Sequence, residues 1–245
     1  MKALVFAAGL GTRLRPFTLE HPKALVPMAG VPMLQRVIEK LKQAGITDIT
    51  VNVHHFADQI IDFLDRNGGF GTDIKISDER DLLLDTGGGI LKARALLGED
   101  EPFLVHNADI FTDFPLQEMI ERHASTGADI TLLADARNTS RYIIFSPEGK
   151  MTGWTNITTG QVLPEGFKPD PGSLQLAFGG VHILSPSVFP VLEKHSGERA
   201  FPIMPFYISE CRTLDIRAYT PSAPYRWHDI GKPESLRAAE LSMSE

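Results

Sequence analysis

Lys2-Ala-Leu-Val-Phe-Ala-Ala8 is apolar from Ala3 onward and breaks off at Gly9. A short apolar run that stops at glycine predicts a strand buried on both faces, as in a parallel sheet. Further along, Pro32 opens a predicted helix. Its residues Met33, Leu34, Val37, Ile38 and Leu41 share one face, and Gly45 ends it. Ile49–Val53, Ile74–Ile76, Pro102–His106 and Asp129–Ala134 read as strands. Ala57–Arg66, Thr86 to about Leu97, and Pro115–Ala124 read as helices. Strand and helix alternating over the first 134 residues argues for an α/β sheet with crossover helices.

From Arg141 the texture changes. Tyr142–Phe145, Leu176–Leu184 and Leu214–Tyr219 are short β-prone pieces between Pro/Gly loops and two helices. Thr155 to Ser173 reads as a long loop or hairpin excursion, and Pro233 opens a last helix. The chain of 245 residues suits one domain, with a first half of about 1–135 and a second half of about 136–245. Hydrophobic residues at 42% and charged residues at 22% exclude a disordered or collagen-like chain. A net charge of −7 argues against nucleic acid as a partner. One cysteine, Cys211, excludes a disulfide framework and a cysteine-rich zinc site. No apolar run approaches the roughly 18 residues of a membrane span. With no room for a signal peptide before Lys2, a cytoplasmic enzyme is expected.

Four segments carry chemistry. Ala7-Ala-Gly-Leu-Gly-Thr-Arg-Leu-Arg-Pro16, followed by Pro22-Lys23, is a glycine turn leaving the first strand. Backbone N–H groups there can approach a phosphate or base without Cβ interference. The dinucleotide pattern G-x-G-x-x-G fails at Leu14, and G-x-x-x-x-G-K-[ST] is absent. Arg13, Arg15 and Lys23 stand instead, cations suited to neutralising a triphosphate. Leu84-Asp-Thr-Gly-Gly-Gly89 offers free N–H groups and room for a flat ring at a helix start. Asn107-Ala-Asp109 ends a buried strand, the edge where ligands of open α/β sheets collect, and its carboxylate suits Mg2+. Trp227-His-Asp-Ile-Gly231 precedes the last helix. Taken singly, each also reads as an ordinary turn or cap.

Gly9-x-Gly-Thr-Arg-Leu-x-Pro16 with Pro22-Lys23-Ala-Leu-Val-Pro27 resembles the signature of sugar-1-phosphate nucleotidylyltransferases, and the resemblance runs along nearly the whole chain. It implies a Rossmann-like nucleotidyltransferase fold with a mixed, mostly parallel central sheet. It implies nucleoside triphosphate and sugar 1-phosphate as partners and Mg2+ as cofactor. Ala8, Gly9, Gly11, Thr12, Arg13, Lys23, Thr86, Gly87, Gly88 and Asn107 would bind the nucleotide. Arg13, Lys23, Asp109 and Asp229 would be catalytic, the two aspartates as metal ligands. Phe178-Gly-Gly-Val181 resembles the strand that lies against the sugar, so Gly179 and Gly180 are expected there, with Asp135 and Asn156. Ala108 stands where the family has glycine, and Lys232 where it has a hydroxyl residue.

The Thr-Gly-Gly-Gly form is most similar to N-acetylmuramate-1-phosphate uridylyltransferases, so UTP is the expected donor. A GTP-dependent mannose- or heptose-1-phosphate enzyme is the alternative. The hexapeptide-repeat domain of some relatives is expected to be absent. A dinucleotide oxidoreductase would end its second strand on an acidic residue, where Asn52 and Val53 stand. A catalytically silent regulatory subunit would be expected to lose Arg13, Lys23 or an aspartate, and all are present.

Overall fold

The apolar run that opens the chain forms β1 (Lys2–Phe6), flanked on both sides by parallel neighbours. The computed structural model describes residues 1–195 and 197–243. After β1 come β2 (Pro27–Met28), β3 (Val31–Pro32), α1 (Met33–Gln43), β4 (Asp48–Val53), α2 (Ala57–Arg66) and β5 (Asp73–Asp78). Next are α3 (Asp85–Leu97), β6 (Phe103–Asn107), β7 (Ile110–Thr112), α4 (Leu116–Thr126) and β8 (Ile130–Asp135). The remainder supplies β9 (Arg141–Phe145), β10 (Met151–Asn156), β11 (Gln161–Leu163), β12 (Leu174–Leu184), α5 (Phe189–His195) and α6 (Ile203–Glu210). It ends with β13 (Ile216–Tyr219), β14 (Trp227–Asp229) and α7 (Pro233–Ser242).

Ten strands form one mixed sheet in the order β11-β10-β9-β12-β6-β1-β4-β5, with β8 on β12 and β13 on β8. One end of it, β6-β1-β4-β5, is parallel, as the buried runs predict. β12 joins it antiparallel to β6 and continues into the β9–β10–β11 meander. The Pro/Gly excursion is therefore a hairpin, β10 pairing with β11.

Alternation along the strands divides the core. Ala3 and Val5 pack with α1, α2 and α4 on one face, while Leu4 packs with α3, α5 and α6 on the other. Helix α1 shows why: its five apolar residues are all buried, and Gly45 with φ +79° turns the chain out of the helix. Each such buried aliphatic side chain contributes about 1.5–3 kcal/mol. A third cluster, Leu14, Val26, Met28, Met33, Ile230 and Ala239, seats the glycine turn against α7. Among the described residues, no helix is long and apolar enough to cross a membrane.

Candidate active site

The parallel strands deliver their carboxyl ends to one edge of the sheet. Beyond β1 the chain turns at Gly11, whose φ is +63°. A Cβ at Gly11 would fall 2.8 Å from both Lys23 Cβ and Thr18 Cγ2, so only glycine lets Lys23 close over the turn. The Gly11 carbonyl accepts from Leu14 N at 2.9 Å and from Thr18 Oγ1 at 2.7 Å, which fixes the loop carrying Arg13. Lys23 Nζ donates to Asp109 Oδ2, tying that loop to the end of β6.

Asp109 and Asp229 come together through a two-stranded ribbon. β7 pairs antiparallel with β14, with Asp229 opposite Ile110, and Ile230 N donates to the Asp109 carbonyl at 2.8 Å. Asp229 Oδ1 is buried without a hydrogen-bond partner. Burial raises the pKa of this carboxyl, and neighbouring Asp109 adds to the rise; Lys23, Arg13 and Lys232 oppose it. A Cβ on Gly231 would fall 2.7 Å from Asp229 Oδ1 and 2.9 Å from Arg13 Nη2, so the bare backbone of Gly231 lets these two groups approach from either side. An orphaned buried carboxylate oxygen beside a second carboxylate fits a hard cation. Among the described residues no three His, Cys, Asp or Glu side chains gather to hold a metal. A cation at Asp109 and Asp229 would therefore complete its shell with phosphate oxygens and water, as Mg2+ does.

Arg13, Lys23, Asp109 and Gly231 line a cavity of about 460 Å³, and Asp229 sits against Gly231 outside that lining. Of the residues expected at a nucleotide, Ala8, Gly9, Gly11, Thr12, Arg13, Lys23, Thr86 and Asn107 line it, with Asp109 at its rim. Gly87 and Gly88, also expected at the nucleotide, are not in its lining. Their N–H groups both donate to the Phe201 carbonyl, at 2.8 and 3.2 Å. A Cβ at Gly87 would fall 2.3 Å from Phe201 Cε2, and one at Gly88 2.2 Å from the Arg199 carbonyl. These glycines make room for the 199–201 segment rather than for a ring. Asp85 and Thr86 face the cavity in their place. Neither acts as a simple helix cap: Asp85 Oδ1 accepts from Thr86 N at 2.6 Å, and Thr86 Oγ1 accepts from Ile203 N at 2.9 Å.

Two polar cavity residues escaped the sequence reading, Asn52 at the end of β4 and Glu79 just after β5. They are 2% and 0% exposed. In the sequence Asn52 stands out only as the absence of an acidic ribose ligand, and Glu79 lies in a charged run that looks solvated.

The residues expected at the sugar divide. A Cβ on Gly180 would fall 3.1 Å from Asn107 Nδ2, so this strand abuts the β6 end. The Gly179 carbonyl accepts from Trp227 Nε1 at 2.9 Å. Arg137 stacks on Trp227 at 3.5 Å from the ring centre and donates to the Ala177 carbonyl at 2.9 Å. Asp135 stands beside Arg137 and Tyr225. These residues flank the ribbon outside the cavity lining. Asn156 is separate: it ends β10 in the hairpin, and its Oδ1 accepts from Thr158 N at 3.0 Å.

Fold, glycine turn and paired aspartates define a nucleotide-handling α/β protein, and the chain belongs to the nucleotidyl transferase family, which it matches over residues 2–245. It is similar to the N-acetylmuramate alpha-1-phosphate uridylyltransferase of Caulobacter vibrioides, 31% identical over 249 residues, covering 99% of this chain and 97% of that protein. It is also similar to mannose-1-phosphate guanylyltransferase 1 of Arabidopsis thaliana, 32% identical over 237 residues and covering 95% of this chain. The chain spans 62% of the length of that relative, as it does of the rice guanylyltransferases it matches. Among solved structures, HddC from Yersinia pseudotuberculosis complexed with GMP-PN superposes with a TM-score of 0.76 at 22% identity, covering 99% of both chains.

Proposed function

We propose that this protein transfers a nucleotidyl group from a nucleoside triphosphate to a sugar 1-phosphate, giving a nucleotide sugar and pyrophosphate. The observation that carries the reading is the convergence of Arg13, Lys23 and Asp109, from separate segments, on one cavity, with Asp229 beside them across Gly231. In this reading the whole chain is one nucleotidyltransferase domain. Ala8, Gly9, Gly11, Thr12, Thr86 and Asn107 contact the nucleotide. Gly179, Gly180 and Asp135 lie on the sugar side.

A sugar-phosphate oxygen forms the new bond to the α-phosphorus. The bond from that phosphorus to the bridging oxygen breaks, and pyrophosphate leaves with the electron pair. The attacking phosphate is already ionised at neutral pH, so no general base is needed. Positioning and charge neutralisation remain for the protein. Arg13 and Lys23 receive the negative charge that builds on the leaving pyrophosphate. Asp109 and Asp229 would hold Mg2+, which would supply neutralisation of phosphate charge when bound. Lys23 is already drawn to Asp109, so it is held at the edge where the triphosphate arrives. The substrates are charged phosphates that do not cross a membrane unaided, which argues for a cytoplasmic enzyme.

For substrates we favour UTP with N-acetylmuramate 1-phosphate. The uridylyltransferase relative matches over 97% of its own length, and Asp85-Thr-Gly-Gly-Gly89 is the form expected of that group. A second reading, GTP with mannose 1-phosphate, is supported by the guanylyltransferase relatives at the same level of identity. Pyrophosphate release over a panel of triphosphates and sugar 1-phosphates tests both. Turnover of GTP with mannose 1-phosphate and none with UTP would overturn the first reading and leave the reaction class intact. No release with any pair would overturn the class.

A further inference from the structure

Asn52 and Glu79 are buried residues of the cavity lining and link two of the segments that form it. Asn52 Oδ1 accepts from Ala7 N at 2.6 Å and Ala8 N at 3.2 Å. Asn52 Nδ2 donates to Glu79 Oε1 at 2.9 Å, and Glu79 Oε2 accepts from Leu84 N at 3.1 Å. The chain of bonds runs without a break from the glycine turn to the Leu83–Thr86 turn.

Its polarity has one solution. Two backbone donors meet the Asn52 oxygen, so the Asn52 nitrogen must face Glu79. Glu79 then receives a donor on each oxygen, a task for a carboxylate and not for an amide, which would set one N–H against another. The surroundings are cut to this group. Glu79 N donates to the Val53 carbonyl at 2.7 Å, and the Glu79 carbonyl bonds His54 Nδ1 at 2.7 Å. A Cβ on Gly89 would fall 3.1 Å from Glu79 Oε1 and 2.8 Å from Phe6 Cε1, so bare backbone leaves the carboxylate its place.

We propose that Asn52 and Glu79 are positioning residues: a directional clasp that holds the glycine turn and the Leu83–Thr86 turn at the separation a triphosphate requires. The role assigned to the ligand rests on the function proposed above; the clasp itself does not. Burial of a carboxylate is costly unless it is fully hydrogen-bonded, so a pair of this kind is retained for the geometry it imposes.

The polarity makes a decisive experiment available. Asn52→Asp sets two carboxylates face to face, and Glu79→Gln sets donor against donor. Made together, the two changes restore every bond with the charge moved by one residue: the carboxylate at 52 accepts from Ala7, Ala8 and the new amide at 79, whose oxygen accepts from Leu84. Amide hydrogen exchange of Ala7, Ala8 and Leu84 is measured in all four proteins, with KM for the triphosphate and for the sugar 1-phosphate. Each single change should speed exchange of those three amides and raise the triphosphate KM on the order of tenfold or more, since misplacement of about 1 Å is enough for such losses. The sugar-phosphate KM should stay within about threefold, and the double variant should return protection and KM to near the parent values. A double variant no better than the worse single would overturn the clasp. So would singles that lower thermal stability but leave KM unchanged, because a pair serving only stability would behave so. If the parent protein turns over no triphosphate, the function fails, and the exchange data alone decide whether the clasp holds the loops.

Discussion

Gly88→Ala and Gly9→Ala add the same methyl group and should produce opposite phenotypes. At Gly88 the new Cβ would fall 2.2 Å from the Arg199 carbonyl oxygen and 3.1 Å from Leu84 Cβ. The methyl must be accommodated by moving α3 away from the 199–201 segment by about 1 Å, a shift that overpacked cores resist at about 1–3 kcal/mol. The same movement weakens the two hydrogen bonds from Gly87 and Gly88 to the Phe201 carbonyl, each worth about 1 kcal/mol. Alanine's better helix propensity returns about 1 kcal/mol. The net loss is about 2–4 kcal/mol, which for a chain of this size lowers Tm by roughly 5–15 °C. At Gly9 nothing stands within 4 Å of the new Cβ, and the position lines the cavity. Gly9→Ala should leave Tm within about 2 °C, as surface changes do, while raising the triphosphate KM. Calorimetry on both variants, with steady-state kinetics on Gly9→Ala, checks the pair. A Gly88→Ala protein as stable as the parent would refute the assignment of that glycine to packing.

Three further outcomes are expected. Asp109→Asn and Asp229→Asn should each lower Mg2+-dependent turnover on the order of 10²-fold or more; near-normal kcat in either would remove that residue from the metal site. Lys23→Ala and Arg13→Ala should slow pyrophosphate formation more than they raise the sugar-phosphate KM, and an effect confined to that KM would contradict their place at the triphosphate. Burial holds the pKa of His106 down to about 4 and that of His182 to about 3, so both rings are neutral in the fold. The unfolded chain takes up protons first, so their contribution is full above about pH 6.5 and is lost as pH falls from there toward 4 and 3. The loss is about 1.4 kcal/mol per pH unit for each ring. Denaturant melts between pH 7 and 4 should show this slope, reduced in His182→Gln; a slope unchanged in that variant would count against a buried neutral ring.

How much was legible follows from how local each signal is. Helix α1 and strand β1 carry their own pattern, apolar faces of the right period with a glycine at the exit. The strand β10 was missed because Met151-Thr-Gly-Trp-Thr-Asn156 mixes polar and small residues. Gly153 leaves no room for a side chain beneath the Leu163 carbonyl and Phe167, a constraint set across the hairpin and not within the strand. At the site, the glycine turn and its cations are contiguous and were readable. The three-glycine stretch was readable as a helix start, but that Asp85 and Thr86 line the cavity while Gly87 and Gly88 pack on the 199–201 segment is set by a distant part of the chain. Glu79 was hidden for the opposite reason: Asp78-Glu-Arg-Asp81 has the composition of a solvated surface, and only its contacts with Asn52 and Leu84 N single out the buried member.

The ribbon of β7 and β14 has a consequence for chain length. The chain leaves the site along β7 and returns to it along β14, and the Ile230 N–H bond to the Asp109 carbonyl closes the pair at a fixed rung. The number of residues in the excursion between them has no purchase on the spacing of the two carboxylates. Changes of length confined to exposed turns of that excursion, such as the β10–β11 hairpin, lie away from the rung. The hairpin can therefore vary in length without altering the distance between the two carboxylates.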